Sequence, residues 1–531
     1  MSGILQFDSN KLKVLIDQTG IELAWKSILV TRIRNLNRCS YILKEPEFSG
    51  VQPLDDDLIA GFSIGEVAVL YEFSVAYVDP KSRKDNGQYF TPDDVAKFMV
   101  RQIRKRNFDP NGTWLDPCSG IGNLSWHLVA SQDNPEKFLS NRMLLSDRDP
   151  LALLIARTLF TLDFQSKNSK LFRTLAPRFV CIDFLANGID SGMFEDTYSG
   201  LEHIPKHDYV IVNPPYLATK RDPRFETKDA GDLYSYFLEN IIKTSKGFIS
   251  ITPQSFTNAA KFKSLRKLLL GFGYLRIFCF DNVPANIFRG IKFGSTNTNT
   301  SNSTRAAIIV ASMNGSSHKI TPLIRWKSDQ RSELFDKAGS FLAEAPLKNQ
   351  FFPKVHPDLL PLYKEVSKPN YRRLSDLTSS RGDFRLFVPS SPRYFIPGLK
   401  TSVSRTSMHV LRFPTLENMN IGYLLINSSF TYWWWRVRDG GMSLSLETLL
   451  SIPVPDNLVV SSKLVSKLEK SESTNKVFKK NAGVEQENVK HDKSLLEELN
   501  LSIFDKETAT LLLRLHDNSE ISNRRSFDNE L

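Results

Sequence analysis

The chain has 531 residues, 41% of them hydrophobic, and a formal net charge of +11. This length exceeds one ordinary hydrophobic core, so we expect two or three domains. The longest apolar runs, such as 306–313, are far shorter than the roughly 20 residues of a membrane-spanning helix. With no secretory signal at the N-terminus, the composition excludes a membrane protein and predicts a cytoplasmic one.

The cysteines and the charge narrow the class of protein further. Cys39, Cys118, Cys181 and Cys279 lie far apart and form no Cys-x-x-Cys pair, which predicts reduced thiols, no disulfide framework and no metal site. The positive net charge indicates a polyanionic partner such as nucleic acid.

The predicted secondary structure is helical at the N-terminus and alternates between strands and helices further along the chain. Residues 1–80 carry apolar residues at helical spacing and are predicted to form a helical N-terminal region. From residue 113 onward, β-branched and aromatic runs alternate with helical stretches, which predicts an α/β domain over 81–320 with a doubly wound, mostly parallel sheet. Its last two strands, 275–280 and 306–310, are predicted to pair as a hairpin. Ligands of such a sheet bind at the carboxyl ends of the strands.

The C-terminal part is less regular. Residues 340–458 are rich in aromatic residues, proline and arginine, without a helical or strand period, and form a second predicted region. Residues 461–493 are dominated by Ser, Lys, Glu and Asn, which predicts a flexible segment. An amphipathic helix near 494–516 and a tail are predicted to complete 494–531.

A glycine loop follows the first predicted strand. In the run 116–123, Gly120 and Gly122 permit a sharp turn and a close approach of backbone to a ligand, although a tight strand-to-helix turn is the commoner explanation of such a run taken alone. About thirty residues later the next strand ends at Asp147, where a carboxylate can accept hydrogen bonds from ribose hydroxyls. A helix cap at Asp147 or Asp149 is the alternative interpretation.

The fourth predicted strand ends in the tetrapeptide Asn213-Pro214-Pro215-Tyr216. Two prolines cannot continue a central strand and hold the exit of the chain rigid. An exocyclic amine on a base is a poor nucleophile because its nitrogen lone pair is delocalised into the ring. The Asn213 side-chain oxygen and the Pro214 carbonyl can accept hydrogen bonds from its two N–H groups, which localises the lone pair on the nitrogen. Tyr216 offers a surface on which a flipped base can stack. The alternative is a proline-rich turn capped by a core tyrosine.

Together with Gly87-Gln88-Tyr89-Phe90-Thr91-Pro92, these motifs resemble the adenine-specific (N6) DNA methyltransferases of restriction-modification systems over about residues 85–315. The position of that motif before the glycine loop resembles the gamma-type order, with the catalytic region preceding the target-recognition region. The resemblance implies a Rossmann-like methyltransferase sheet followed by a C-terminal mixed target-recognition domain. It also implies S-adenosyl-L-methionine as the cofactor and a flipped-out adenine in double-stranded DNA as the substrate.

The resemblance assigns roles to individual residues. Cofactor contacts fall on Tyr89 and Thr91 (methionine portion), Asp116, Pro117, Gly120 and Gly122 (pocket wall), Asp147 (ribose), and Asp183 and Phe184 (adenine of the cofactor). Catalytic positions fall on Asn213, Pro214, Pro215 and Tyr216. Phe288 matches the aromatic residue that holds the second face of the flipped base, with Phe293 as a competitor. Cys118, Ser119 and Asp147 depart from the residues that are usual in the family.

Candidate DNA contacts lie in the second region. Between residues 371 and 413 there are eight basic residues and two acidic ones, which predicts a phosphate-binding or guanine-reading face or, alternatively, a solvated basic surface. The arginines that we assign to DNA are Arg372, Arg373, Arg381, Arg385, Arg393 and Arg405. The block Tyr432–Trp435 resembles segments of recognition regions, and both DNA contact and burial in a core are consistent with it.

Alternative functions share the same tetrapeptide. An RNA adenine methyltransferase and a protein glutamine N5-methyltransferase face the same problem of a delocalised nitrogen, and a scaffold subunit with an inactive methyltransferase fold is a further alternative. The upstream motif and the long basic C-terminal half favour DNA. We expect a monomer, and a restriction endonuclease encoded nearby as its functional partner. The recognised DNA sequence is not predicted.

Overall fold

The computed structural model describes residues 9–79, 91–103, 107–167, 169–185, 206–288, 292–293, 296–297, 305–344, 346–348, 350–392, 394–405, 407–439, 441, 443–481, 484–517 and 519–521. The elements and contacts below refer to these residues.

The described part of the N-terminal region contains the α-helices α1 (Ser9–Thr19), α2 (Ile21–Leu36) and α3 (Ile64–Val78), with two short 3-10 helices between α2 and α3. Their apolar faces bury Trp25 and Leu70 and join the hydrophobic cluster that covers one side of helix α7 (Pro150–Phe164). Helix α3 begins at a capping box, in which the Ser63 hydroxyl accepts from the Glu66 amide and the Glu66 carboxylate accepts from the Ser63 amide. The N-terminal helices are thereby fixed on a helix that flanks the sheet.

Helices and strands alternate through the next part of the chain. The helices are α4 (Asp93–Ile103), α5 (Asn123–Ala130), α6 (Pro135–Arg142), α7, α8 (Leu171–Leu175), α9 (Leu233–Thr244) and α10 (Lys263–Leu269). The strands are β1 (Trp114–Asp116), β2 (Met143–Asp147), β3 (Phe179–Cys181), β4 (Tyr209–Val212), β5 (Gly247–Pro253), β6 (Tyr274–Phe280), β7 (Lys292–Phe293), β8 (Thr296–Asn297), β9 (Ala306–Ser312) and β10 (Ser317–Ile324).

The main sheet has eight strands in the order β10-β6-β9-β5-β4-β1-β2-β3. Neighbouring strands are parallel except that β9 runs antiparallel to both β5 and β6. The prediction of an α/β fold with a mostly parallel sheet is confirmed. The chain leaves β1 on one side toward β2 and returns on the other side at β4, so a topological switch point lies between the ends of β1 and β4.

The end of the sheet differs from the prediction in one respect. The expected pairing of 275–280 with 306–310 is present, since β6 and β9 are antiparallel neighbours in register. The predicted boundary at residue 320 is wrong, because β10 continues to Ile324 and pairs in parallel with β6. Pro322 interrupts the strand pattern in the sequence, so the end of this strand was not predicted. The register of the pairing with β6 shifts between Ile320 and Leu323. β10 is an edge strand of this sheet, and its outer side forms an isolated bridge from Ile320 to Ala343 rather than a continuous ladder, which is why proline is tolerated at position 322.

The C-terminal part packs on the sheet through helices and a two-stranded ribbon. Its helices are α11 (Arg331–Lys337), α12 (Leu360–Val366), α13 (Leu416–Asn427), α14 (Ser429–Arg438) and α15 (Leu446–Leu450), and its ribbon is β11 (Phe384–Pro389) paired antiparallel with β12 (Met408–Phe413). Leu115 of β1 and Trp433 of α14 belong to one continuous buried cluster. The target-recognition region that we predicted therefore shares a hydrophobic core with the sheet.

The prediction of a flexible segment over 461–493 is wrong. This segment contains helix α16 (Ser462–Thr474) and a hairpin of β13 (Lys476–Asn481) and β14 (Val484–Val489), followed by α17 (Lys493–Leu501) and α18 (Lys506–Arg514). Leu464 and Leu468 form a buried face of α16, and the buried Glu472 carboxylate accepts from the Lys400 and Thr401 amides. A few well-placed apolar residues and one buried acid order a segment whose composition is polar.

The described helices are compared in length and hydropathy with a helix that spans a membrane. None of them is both long enough and apolar enough to cross a bilayer.

Candidate active site

The glycine loop joins β1 to α5 in the way the sequence predicts. Gly120 and Gly122 have φ of 54° and 86°, a backbone conformation that residues with a Cβ rarely adopt. A Cβ at Gly122 would also lie 2.9 Å from the Phe160 ring. The loop is tied to the neighbouring strand because the Ser119 amide donates to the Ser146 carbonyl at 3.0 Å.

Two carboxylates at strand ends face this loop. Asp116 is 1% exposed, its Oδ2 accepts from the Ser125 hydroxyl at 2.8 Å, and burial raises its pKa to about 7. Asp147 Oδ2 accepts from the Gly120 amide at 2.7 Å and its Oδ1 accepts from the Asp149 amide at 3.0 Å. Burial also raises the pKa of Asp147. The helix cap is Asp149, whose Oδ1 accepts from Leu151 and Ala152, so Asp147 lacks that structural role.

The two candidate contacts for the cofactor adenine lie after β3. Asp183 is partly exposed and its Oδ2 is 3.9 Å from the Arg148 guanidinium. Phe184 is buried, stacks on Phe237 with ring centroids 5.3 Å apart, and offers its carbonyl to the Asn240 side chain at 3.1 Å. The end of β3 therefore reaches the same rim as the glycine loop.

The tetrapeptide follows β4, on the other side of β1. The Asn213 carboxamide is held at both ends, since Nδ2 donates to Thr91 Oγ1 at 2.9 Å and Oδ1 accepts from the Tyr216 hydroxyl at 2.7 Å. The Asn213 carbonyl accepts from the Cys118 thiol at 3.3 Å. Thr91 of the upstream motif, the glycine loop and the tetrapeptide thus meet at the carboxyl ends of β1 and β4.

The two aromatic candidates for base stacking are neighbours. The rings of Tyr216 and Phe288 have centroids 6.1 Å apart and are inclined by 63°, and Phe288 is 3% exposed. Rings inclined in this way leave no parallel slot for a flat base, so stacking on both faces requires one of the two to move. The side chain of the competitor Phe293 lies outside the described residues, as does Tyr89.

These elements surround a cavity of about 1230 Å³. Nine of its lining residues are ones that the sequence predicted: Thr91, Asp116, Pro117, Gly120, Asp147, Asp183, Phe184, Asn213 and Pro215. The cavity is also lined by residues that the sequence did not indicate, namely Tyr71 and Glu72 of α3 and the segment 219–225 after the tetrapeptide.

Tyr71 has a defined contact in the cavity wall. Its hydroxyl donates to Asp149 Oδ2 at 2.5 Å, and its ring packs edge-on against Trp25 at 5.4 Å. No motif in the sequence indicates this role, because Tyr71 lies in an apolar helical stretch whose pattern is that of a purely structural helix. Helix α3 of the N-terminal region therefore forms part of the cavity wall.

The arginines assigned to DNA separate into three groups. Arg372, Arg381 and Arg385 are exposed. Arg373 lies over the Trp434 ring at 5.6 Å and donates to the Lys368 carbonyl, and Arg405 donates to the Ser391 carbonyl at 3.4 Å. Arg393 lies outside the described residues.

Of the two interpretations of Tyr432–Trp435, burial in a core is the one that the structure shows. These residues form the middle of α14 and are 1–2% exposed. The Trp434 indole donates to the Ser451 hydroxyl at 3.0 Å and the Trp435 indole donates to the Ser443 carbonyl at 3.2 Å. Their apolar rings fill the core between the sheet and the C-terminal helices, which is the alternative that the composition left open.

Comparisons with known proteins agree with the motifs. Residues 63–143 match the family described as N-6 DNA Methylase, and residues 141–284 match the family described as Eco57I restriction-modification methylase. The two matches cover α3 through β6, with the glycine loop and the tetrapeptide inside them. The resemblance to adenine DNA methyltransferases of restriction-modification systems is confirmed for this part of the chain.

Two curated relatives are similar over a limited length. The type II methyltransferase M.PstI of Providencia stuartii is 25% identical over 205 residues, and M.BsuBI of Bacillus subtilis is 24% identical over 200 residues. Each alignment covers 36% of this chain and 38% of the relative. The similarity thus spans well under half of either relative.

Solved structures give weaker likenesses. The type IIG restriction endonuclease BpuSI superposes with a TM-score of 0.43 at 13% identity, over 96% of this chain and 80% of that one. A methyltransferase subunit of a type I restriction-modification system from Streptococcus thermophilus gives 0.31 at 20% identity, over 54% and 55%. Likenesses of this size support no conclusion about function.

Proposed function

We propose that this protein transfers a methyl group from S-adenosyl-L-methionine to the exocyclic N6 of an adenine flipped out of double-stranded DNA, and that it protects DNA in a restriction-modification system. One observation carries the proposal: the Asn213 carboxamide is fixed at the wall of the large cavity that Asp116 and Asp147 line from the adjacent strand ends. This arrangement joins an acceptor for an amine to a site for a cationic cofactor.

The cavity fits the cofactor in its chemistry. S-adenosyl-L-methionine supplies an electrophilic methyl group on a sulfonium when it is bound. Asp116 Oδ1 is buried and has no hydrogen-bond partner of normal geometry among the described residues, so a donor from a ligand would satisfy it. Asp147 lies at the end of β2, where an acid holds ribose hydroxyls in dinucleotide-binding sheets. Asp183 and Phe184 complete the proposed contacts at the adenine end of the molecule.

The tetrapeptide prepares the amine of the base. The nitrogen lone pair of N6 is delocalised into the ring, and hydrogen bonds from its two protons to Asn213 Oδ1 and to the Pro214 carbonyl localise it. Pro215 keeps these acceptors in fixed positions because its ring restricts the backbone. The Tyr216 ring supplies stacking that the base loses on leaving the duplex.

The outer face of the β11–β12 ribbon is the proposed DNA contact. Arg385 and Arg412 lie directly opposite each other on the two strands, and like charges in that position repel unless an anion lies between them. Exposed Arg381 precedes the ribbon and exposed Arg372 lies nearby in sequence. A two-stranded ribbon also has the width that the major groove of DNA accepts. Arg373 and Arg405 hold protein carbonyls and are weaker candidates.

A test of the acceptor separates this function from its alternatives. The full chain is incubated with radiolabelled S-adenosyl-L-methionine and, in separate reactions, with double-stranded DNA, RNA or a glutamine-containing protein extract. We expect label in DNA only, and we expect Asn213→Ala to abolish transfer while cofactor binding persists. Asn141→Ala, at an exposed position of α6, is the matched control and should keep full activity. Label in RNA or protein alone, or full activity of Asn213→Ala, would contradict the proposal.

A further inference from the structure

The orientation of the catalytic carboxamide is set by a residue outside the tetrapeptide. An asparagine side chain presents an oxygen acceptor on one side and an NH2 donor on the other. Rotation of the amide by 180° about its Cβ–Cγ bond exchanges the two groups. Only the oxygen can accept a hydrogen bond from a target amine. In this structure Nδ2 of Asn213 is taken by Thr91 Oγ1 at 2.9 Å, and Oδ1 faces the Tyr216 hydroxyl at 2.7 Å.

Thr91 is itself held in place. It is 5% exposed, and its carbonyl accepts from the Asn123 side chain at 2.6 Å. Asn123 is the first residue of α5 and is 7% exposed. The far side of the amide faces the Tyr216 hydroxyl, whose single proton is shared between Asn213 Oδ1 at 2.7 Å and the Ile251 carbonyl of β5 at 2.9 Å. Hydrogen bonds therefore link α5 through Thr91 to Asn213, and the Tyr216 hydroxyl lies between Asn213 and β5.

From this geometry we infer that Thr91 is a positioning residue, whose hydroxyl holds the Asn213 side chain in the rotamer that presents Oδ1 to the target amine. The inference rests on the proposed function and goes beyond the cofactor contact that the resemblance assigns to Thr91. Its physical basis is preorganisation, since an acceptor that is oriented before the substrate arrives costs no reorganisation in the transition state.

Kinetics of two variants test the inference. Thr91→Val has the same shape without the acceptor, and Thr91→Ser keeps it. For Thr91→Val we expect kcat for methyl transfer to fall by about 10- to 100-fold, with the dissociation constant for S-adenosyl-L-methionine within about threefold of the original protein, which also reports that the variant is folded. Thr91→Ser should recover most of the rate. Weaker cofactor binding with unchanged kcat at saturation would instead make Thr91 a cofactor contact and overturn the inference.

A second measurement is independent of activity on DNA. In the full chain labelled with ¹⁵N-asparagine, the side-chain NH2 signal of Asn213 is identified by its absence in Asn213→Asp. We expect slow exchange of these protons with water in the original protein and in Thr91→Ser, and fast exchange in Thr91→Val. Equal exchange in all three proteins would overturn the inference. Absence of DNA methylation by the original protein would contradict the proposed function alone, because the exchange pattern decides the Thr91 contact separately.

Discussion

At the scale of single residues, Asp116 combines burial, a position in the cavity wall and an oxygen, Oδ1, that has no hydrogen-bond partner of normal geometry among the described residues. Ser125 satisfies only one of its carboxylate oxygens. Burial raises its pKa to about 7 because the charged form is poorly solvated. A cationic ligand favours the ionised form, so ligand binding and ionisation of Asp116 are linked.

The resulting pH dependence is the first prediction. Below about pH 7 Asp116 is mostly protonated and neutral, and above it the carboxylate is ionised. We therefore expect the dissociation constant for S-adenosyl-L-methionine to fall as pH rises from 6 to 8, when it is measured by calorimetry. Asp116→Asn has the same shape and no charge to titrate, and we expect it to remove this dependence. The same pH profile in both proteins would show that another group is responsible.

At the scale of elements, the β11–β12 ribbon has one buried face and one charged face. Leu386 and Leu411 pair across the strands on the face that enters the core, and Arg385 and Arg412 pair on the opposite face. This alternation follows from the two-residue period of a strand. The ribbon therefore presents its arginines to solvent because its leucines are anchored.

The ribbon makes a prediction about DNA binding. Replacing Arg381 and Arg385 together by Ala should weaken binding to double-stranded DNA and reduce the slope of log affinity against log salt by about one for each DNA phosphate that these arginines neutralise. Fluorescence anisotropy over a salt series measures this slope. Lys506→Ala combined with Arg514→Ala removes the same charge from exposed positions of α18 and should change the slope less. An unchanged slope in the ribbon variant would remove these arginines from the interface.

Helix α16 is anchored by a buried histidine. His491 is 7% exposed, and it lies between Ser471 Oγ, 2.8 Å from Nδ1, and Asn427 Oδ1, 3.0 Å from Nε2. The Asn427 oxygen can only accept a hydrogen bond, so Nε2 carries the proton and Nδ1 accepts from Ser471. Burial lowers the pKa of His491 to about 4, from 6.5.

The lowered pKa of His491 makes the free energy of unfolding depend on pH. The unfolded chain binds a proton at His491 near pH 6.5 and the folded chain only near pH 4, so the free energy of unfolding falls as pH decreases through this window. The decrease is at most about 3.5 kcal/mol over the whole window, because one pKa unit corresponds to about 1.4 kcal/mol. Urea denaturation at pH 7 and pH 5 should show a smaller decrease for His491→Gln than for the original protein. Equal decreases would exclude His491 as the titrating group.

At the scale of the whole molecule, a buried charge cluster joins the sheet to the C-terminal helices. Asp281 follows β6 and is 2% exposed. It accepts from Arg305 at 2.9 Å and from Arg436 of α14 at 2.9 Å, with Arg325 at 3.4 Å. Burial alone would raise the pKa of Asp281, but Arg436, Arg305 and Arg325 outweigh it and hold the value at about 2.

Removal of the Asp281 carboxylate should lower the free energy of unfolding of the whole protein. Asp281→Asn leaves three guanidinium groups without their shared anion, and breaking a buried ion cluster in this way costs about 3–5 kcal/mol. Urea denaturation at pH 7 measures the change. In the original protein the stabilisation is present above the unfolded pKa near 3.8 and is lost as pH falls through about 2. A destabilisation below about 1 kcal/mol would mean that the cluster does not hold the two regions together.

The features that could be predicted from the sequence are those that depend on short stretches of the chain. The strands were predictable because β-branched runs and strand-end motifs are short-range signals, and Asp147 and Asn213 lie at the strand ends expected for them. The contribution of Tyr71 to the cavity was not predictable, because it depends on how α3 packs against α7. Burial of Trp433 and order in α16 were likewise decided by long-range packing. Motifs indicated the centre of the site, and packing supplied its walls.

The most direct test of the proposed function is the identity and position of the methylated atom. Double-stranded DNA incubated with the full chain and S-adenosyl-L-methionine is digested for mass spectrometry and, in parallel, sequenced by a method that reports modified bases. The proposed function predicts N6-methyladenine at a recurring DNA sequence with the original protein and none with Asn213→Ala. Methylcytosine, scattered methylation without a recurring sequence, or the same N6-methyladenine with Asn213→Ala would contradict it.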